Sequence, residues 1–255
     1  MFAVRRGARL PVLAQGGAPF TPASISGLKL WLKSDAGLYQ ERTGASATTL
    51  ASADSDPVGS WLDQSGNGNH ATAPTDACRP LLKTAIQNGR NIVRFDGTDD
   101  SLTGTGVSIA NAAFSVFVVR KSSFASGPRV VFSVGGEASS YNTLHIKQTA
   151  STSESFDLYE MAVFVTTTLS DFAIYHYKQA SNKTMSYNKN GTALNSSVSP
   201  SFFTGTSSYS VGKYAGANIL FFIGDIAEIL VYAGALSAGN IASVEAYLNS
   251  RWAVY

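Results

Sequence analysis

From Ile25 onward, apolar and polar residues alternate in short runs bounded by Gly, Asn, Asp and Ser, a pattern that predicts half-buried strands joined by turns. In "LKLWLKS", Leu28, Leu30 and Leu32 fall on one face, and Lys29, Trp31 and Lys33 on the other. Residues 36–56 are polar and read as a long loop. "GSWLDQSGNGNHATA" sets a Gly/Asn-rich turn between two short apolar pieces, and "NIVRF" reads as a strand. "FSVFVVR" and "RVVFSVG" are nearly continuous β-branched and aromatic runs, so they predict central strands covered on both faces. "DFAIYHYK", "TMSYNKNGTAL", "YSVGKY" and "FFIGDIAEILVY" continue the β pattern, and Asn190-Gly191 is a strong hairpin signal. Only the end has helical periodicity. After Ser237, an expected N-cap, Ile241, Val244, Leu248 and Trp252 recur at offsets of three and four and form one apolar stripe. These elements predict an all-β, two-sheet antiparallel jelly-roll sandwich over residues 23–255, closed by one C-terminal amphipathic helix.

Residues 1–22 lack any such period. They carry Arg5, Arg6 and Arg9, then glycines and prolines, and read as an extended N-terminal arm. Phe2, Val4 and Leu10, with those arginines, are the expected anchors for docking onto a partner. The apolar stretch "LPVLA" is short and broken by Pro11, so a secretory leader is not expected.

Composition narrows the function classes. Apolar residues make up 44% of the chain, enough for a large core. A formal net charge of +2 argues against nucleic acid as a partner. No run of about 18 apolar residues predicts a membrane span. The one cysteine, Cys78, allows no internal disulfide or multi-cysteine zinc site, which fits folding in a reducing cytoplasm.

Four blocks, "GLKLWLKSDAG", "VGSWLDQSGNGNHAT", "NIVRFDGTDDSL" and "GDIAEILVYAGALSAGNIASVEAYLNSRW", occur in that order. Together they resemble the laminin-G-like, concanavalin A-like lectin/glucanase jelly rolls of phage virion and bacterial surface proteins. The resemblance covers residues 25–255. It implies a structural or accessory virion protein (capsid decoration, head fibre or tail component), made in the host cytoplasm and oligomeric or assembly-bound. Capsid or tail subunits, and host-surface glycans, are the implied partners. The alternative is a carbohydrate-binding lectin module of a bacterial surface or secreted protein.

The acidic residues decide what chemistry to expect. Retaining glycosidases need two carboxyl groups about 5 Å apart. In "ESFDLYE", Asp157 points away from Glu154 and Glu160, and Asp225 and Glu228 are read as lying on opposite strand faces, so the chain is expected not to be an enzyme. No nucleophile elbow accompanies His70, His145 and His176, which are read as surface or strand residues. In "FDGTDD", Asp96, Gly97, Asp99 and Asp100 read as a turn. The alternative is a structural calcium ion shared with Asp63 and the Asn67/Asn69 loop; no other cofactor is expected. Tyr175, Tyr177 and Tyr187 share one strand face, as either a glycan-stacking surface or sandwich packing.

Overall fold

The computed structural model describes residues 19–123, 127–136, 139, 141–158 and 161–255. The arm anchors Phe2, Val4, Arg5, Arg6, Arg9 and Leu10, and also Glu160, lie outside these residues. In chain order the first strands are β1 (Leu28–Lys33), β2 (Leu38–Tyr39), β3 (Ser60–Trp61), β4 (Ala71–Thr72), β5 (Leu81–Gln87) and β6 (Arg90–Asp96). Next come β7 (Leu102–Gly104), β8 (Phe114–Ser122), β9 (Arg129–Gly135), β10 (Thr143–Ala150), β11 (Ser153–Asp157) and β12 (Ala162–Thr166). The last are β13 (Ala173–Gln179), β14 (Thr184–Lys189), β15 (Thr192–Val198), β16 (Tyr209–Val211) and β17 (Ile223–Ala233), followed by helix α1 (Ala238–Trp252).

Two antiparallel sheets face each other, as expected. The first runs β15-β14-β13-β8-β17-β6-β5, with β1 also paired to β17. The second runs β12-β11-β10-β9-β16-β7-β4-β3-β2. Asn190 (φ 49°) and Gly191 (φ 73°) take the left-handed conformations that a tight hairpin between β14 and β15 needs.

Among the described residues there are two apolar cores. Leu30, Leu32, Val116, Val118, Phe132 and Ile229 belong to the one between the sheets. Trp31, Phe117, Val119, Leu230 and Tyr232, on the outer face of the first sheet, pack under α1 against Val244, Leu248 and Trp252. This second layer explains why "FSVFVVR" is apolar on both faces. Ser237 caps α1, its hydroxyl accepting from the Asn240 N–H at 3.1 Å. The simple alternation read in β1 is interrupted: a bulge between Leu28 and Leu30 turns Leu28 toward the helix, beside Trp31. Pro22 is buried, and its carbonyl accepts from the Tyr232 hydroxyl at 3.0 Å.

Candidate functional site

The second sheet is crossed by one row of polar side chains. Pairing from strand to strand links Tyr39, Ser60, Thr72, Thr103, Ser210, Ser133, His145 and Asp157 in a single line. Their sequence neighbours Leu38, Trp61, Ala71, Leu102, Tyr209, Phe132, Leu144 and Phe156 all enter the inter-sheet core. Side chains alternate along a strand, so the whole row faces outward.

Two loops cover the ends of this row and leave its middle open. At one end, Ser60 Oγ donates to the Glu41 carbonyl at 2.6 Å and accepts from the Gly44 N–H at 3.0 Å. At the other, Ser133 Oγ donates to the Lys213 carbonyl at 2.9 Å, and the Tyr214 ring meets the His145 ring edge-on, with centroids 4.9 Å apart. Between them lies a groove of about 470 Å³, walled by His70, Thr105, Ser208 and Ala215 over a floor of Thr72, Thr103 and Ser210. Gly104 lies on the inward side, beneath the floor, where a Cβ would fall 2.5 Å from the Tyr209 ring. His70 Nδ1 accepts from the Asp63 N–H at 3.0 Å, so in the neutral ring the proton sits on Nε2, which is a donor.

Under the second loop, His145 Nδ1 is 2.8 Å from Asp157 Oδ1. Asp157 Oδ2 takes Ser155 Oγ and Lys147 Nζ, each at 3.0 Å. Burial would raise the pKa of Asp157, but the hydrogen bond to His145 and the charge of Lys147 overcome it and hold the carboxyl below its usual range. An ionised Asp157 fixes the proton of the neutral imidazole on Nδ1. His145 Nε2 is buried without a hydrogen-bond partner among the described residues. An unmatched buried acceptor costs about 1–3 kcal/mol. Ser133 lies beside His145, but its hydroxyl is turned to Lys213, so the three side chains do not form a proton relay in this state.

The acidic turn is a turn. Asp96 Oδ1 accepts from the Thr98 N–H at 2.8 Å, Asp100 Oδ2 accepts from the Asp96 N–H at 2.9 Å, and Gly97 has φ 80°. Carboxylate oxygens of Asp96, Asp99 and Asp100 lie within 4.8 Å of one another. Burial, then the charge of Asp96, push Asp100 up to about 7. With one oxygen from each, three carboxylates provide half or fewer of the roughly six to eight oxygens that calcium takes. Asp63 does not join this group: its oxygens accept from the Trp31, Ser65 and Asn69 N–H groups and from Ser65 Oγ.

Two expectations need correction. Tyr175, Tyr177 and Tyr187 are 0% exposed and present no ring to a sugar. They enclose a buried ion pair between Arg120 of the first sheet and Glu154 of the second. Tyr177 donates to Glu154 Oε1 and Tyr187 to Oε2, each at 2.8 Å, and the Arg120 guanidinium lies 4.1 Å from the Tyr175 ring centroid. Asp225 and Glu228 share a face, because a bulge between Ile226 and Glu228 resets the alternation. Asp225 pairs with Arg94 at 2.6 Å, while Glu228 accepts from Trp31 Nε1 at 2.6 Å and Trp252 Nε1 at 2.7 Å. His145 and His176 are strand residues, as read, and both are buried. His176 stacks on Phe117 at 4.2 Å, and burial lowers its pKa to about 3.

No family model and no curated protein matches the chain. Solved structures do. A GH54 α-L-arabinofuranosidase variant superposes with TM-score 0.67 at 15% identity, over 88% of this chain and 63% of that one. A Trypanosoma rangeli sialidase gives 0.60 at 15% identity, over 94% and 35%. The botulinum neurotoxin type G receptor binding domain gives 0.59 at 9% identity, over 88% and 52%. The chain thus spans less than two thirds of the length of each of these neighbours. At such identities the likeness establishes a shared β-sandwich fold. It also overturns the expectation that the chain is not an enzyme: chains of two glycosidases carry this sandwich, which gives no ground for excluding glycoside chemistry.

Proposed function

We propose that this chain is a carbohydrate-binding β-sandwich module whose glycan site is the groove over Thr72, Thr103 and Ser210. One observation carries the reading: strand-borne hydroxyls stand in register on the floor of an open groove between two loops. A sugar ring offers several hydroxyls at fixed angles. Groups held on a rigid sheet can meet them without losing further side-chain freedom. His70 Nε2 adds a donor whose orientation the Asp63 N–H fixes. The shared fold supports the reading, since the arabinofuranosidase neighbour was soaked with an α-L-arabinofuranoside.

A glycan array with the purified chain tests the groove directly. At least one glycan should bind, and Thr103→Val with Ser210→Ala should abolish that binding while leaving the melting temperature within a few degrees. A folded protein that binds nothing on a broad array would overturn the proposal. The setting we propose, a phage virion or bacterial surface protein, is supported by the four sequence blocks. Mass spectrometry of purified particles checks the virion form, and absence of the chain there would refute it.

A further inference from the structure

The polar row does not stop where the groove does. Ser210 forms groove floor, Ser133 is its partner on β9, and His145 is the partner of Ser133 on β10. Strands lie about 4.8 Å apart, so His145 stands roughly 10 Å along the row from Ser210. The roof is continuous as well: Ala215 walls the groove, and the adjacent Tyr214 covers His145. The two ring nitrogens of an imidazole point to opposite sides. With Nδ1 committed to Asp157 on β11, Nε2 is directed away from that carboxylate. In the neutral ring it is a buried acceptor, with no hydrogen-bond partner among the described residues. Ser133 Oγ is the one side-chain bond from the row's floor to the 213–218 loop among those described, and it reaches a carbonyl that water or a ligand hydroxyl could serve equally.

We propose that His145 Nε2, beneath Tyr214, marks a second subsite of the groove, one that opens to accept a hydroxyl group from the adjoining unit of a bound oligosaccharide. Tyr214 rises with the loop to admit that unit and then packs its ring on it, an amphipathic contact suited to the apolar face of a sugar. The groove alone holds one unit; the groove and the subsite together hold two or three. This inference rests on the glycan reading of the groove.

The test compares one glycan series at two lengths. Arabino-, galacto- and gluco-oligosaccharides of one to four units serve as probes, with calorimetry on wild type and on His145→Asn. Asparagine keeps a donor toward Asp157 and removes the Nε2 acceptor. The substitution should weaken di- and trisaccharide binding about three- to tenfold and leave the monosaccharide unchanged. In wild type, the ¹⁵Nε2 resonance of His145 should move on adding the longer sugar and stay still with the shorter one. That second readout holds even if the variant misfolds. Oligosaccharide binding with an unmoved Nε2 resonance would overturn the subsite while leaving the groove intact. Absence of binding to any probe at any length would overturn both.

Discussion

At Glu154, two tyrosine hydroxyls and the Arg120 guanidinium satisfy one carboxylate inside the sandwich. Removing one partner of such a pair leaves the other charge without compensation, a loss of about 3–5 kcal/mol. Glu154→Ala should therefore lower stability by about that much in urea unfolding, and a change under 1 kcal/mol would refute a stable buried pair. Asp100 makes a pH-dependent contribution. Its folded pKa, about 7, stands above its ordinary value of 3.8. The stability it contributes is thus complete below about pH 4 and is lost as pH rises through about 7. Asp100→Asn cannot ionise, so its melting temperature should gain on wild type at pH 8 and show little gain at pH 4; an equal difference at both would contradict the shift. The "FDGTDD" turn was legible in the sequence because Asp and Gly act on the backbone within a few residues. The three tyrosines were not: their shared face was readable, but which face the sheet buries depends on strands far away in the chain.

Helix α1 was legible in both its cap and its stripe, since cap chemistry and a period near 3.6 are local. Its partner was legible only indirectly, through the doubly apolar β8. Trp252 is fully buried and donates to Glu228, so Trp252→Ala should cost about 3–5 kcal/mol, checked by thermal and urea unfolding. An unchanged midpoint would mean that the helix does not share the fold's stability. The polar row was visible only in fragments. Thr103, Ser210, Ser133, His145 and Asp157 each sit singly between apolar or glycine neighbours, as in "LTG", "YSV", "FSV", "LHI" and "FDL". Nothing local says that these fragments align, because register is set by pairing across strands distant in sequence. The bulges in β1 and β17 escaped for the same reason, and the second of them misled the reading of Asp225 and Glu228.

Across the whole molecule, three layers stack in order: α1, the first sheet and the second sheet. The polar row lies on the side away from the helix, so a ligand there would leave the helical face free. The 213–218 loop sets access to the far end of the row. Tyr214→Ala should accordingly speed modification of His145 by diethyl pyrocarbonate several-fold, read by mass spectrometry, whereas an unchanged rate would mean that other groups shield the ring. The ion pair between the sheets has a consequence for assembly. Arg120 arrives on β8 and Glu154 on β11, strands from different layers. A one-residue slip of β11 would swing Glu154 to the outside and strand Arg120 in an apolar interior. The pair therefore proofreads the chain's own assembly: a sandwich closed on the wrong register is rejected by an uncompensated charge, before any ligand is met.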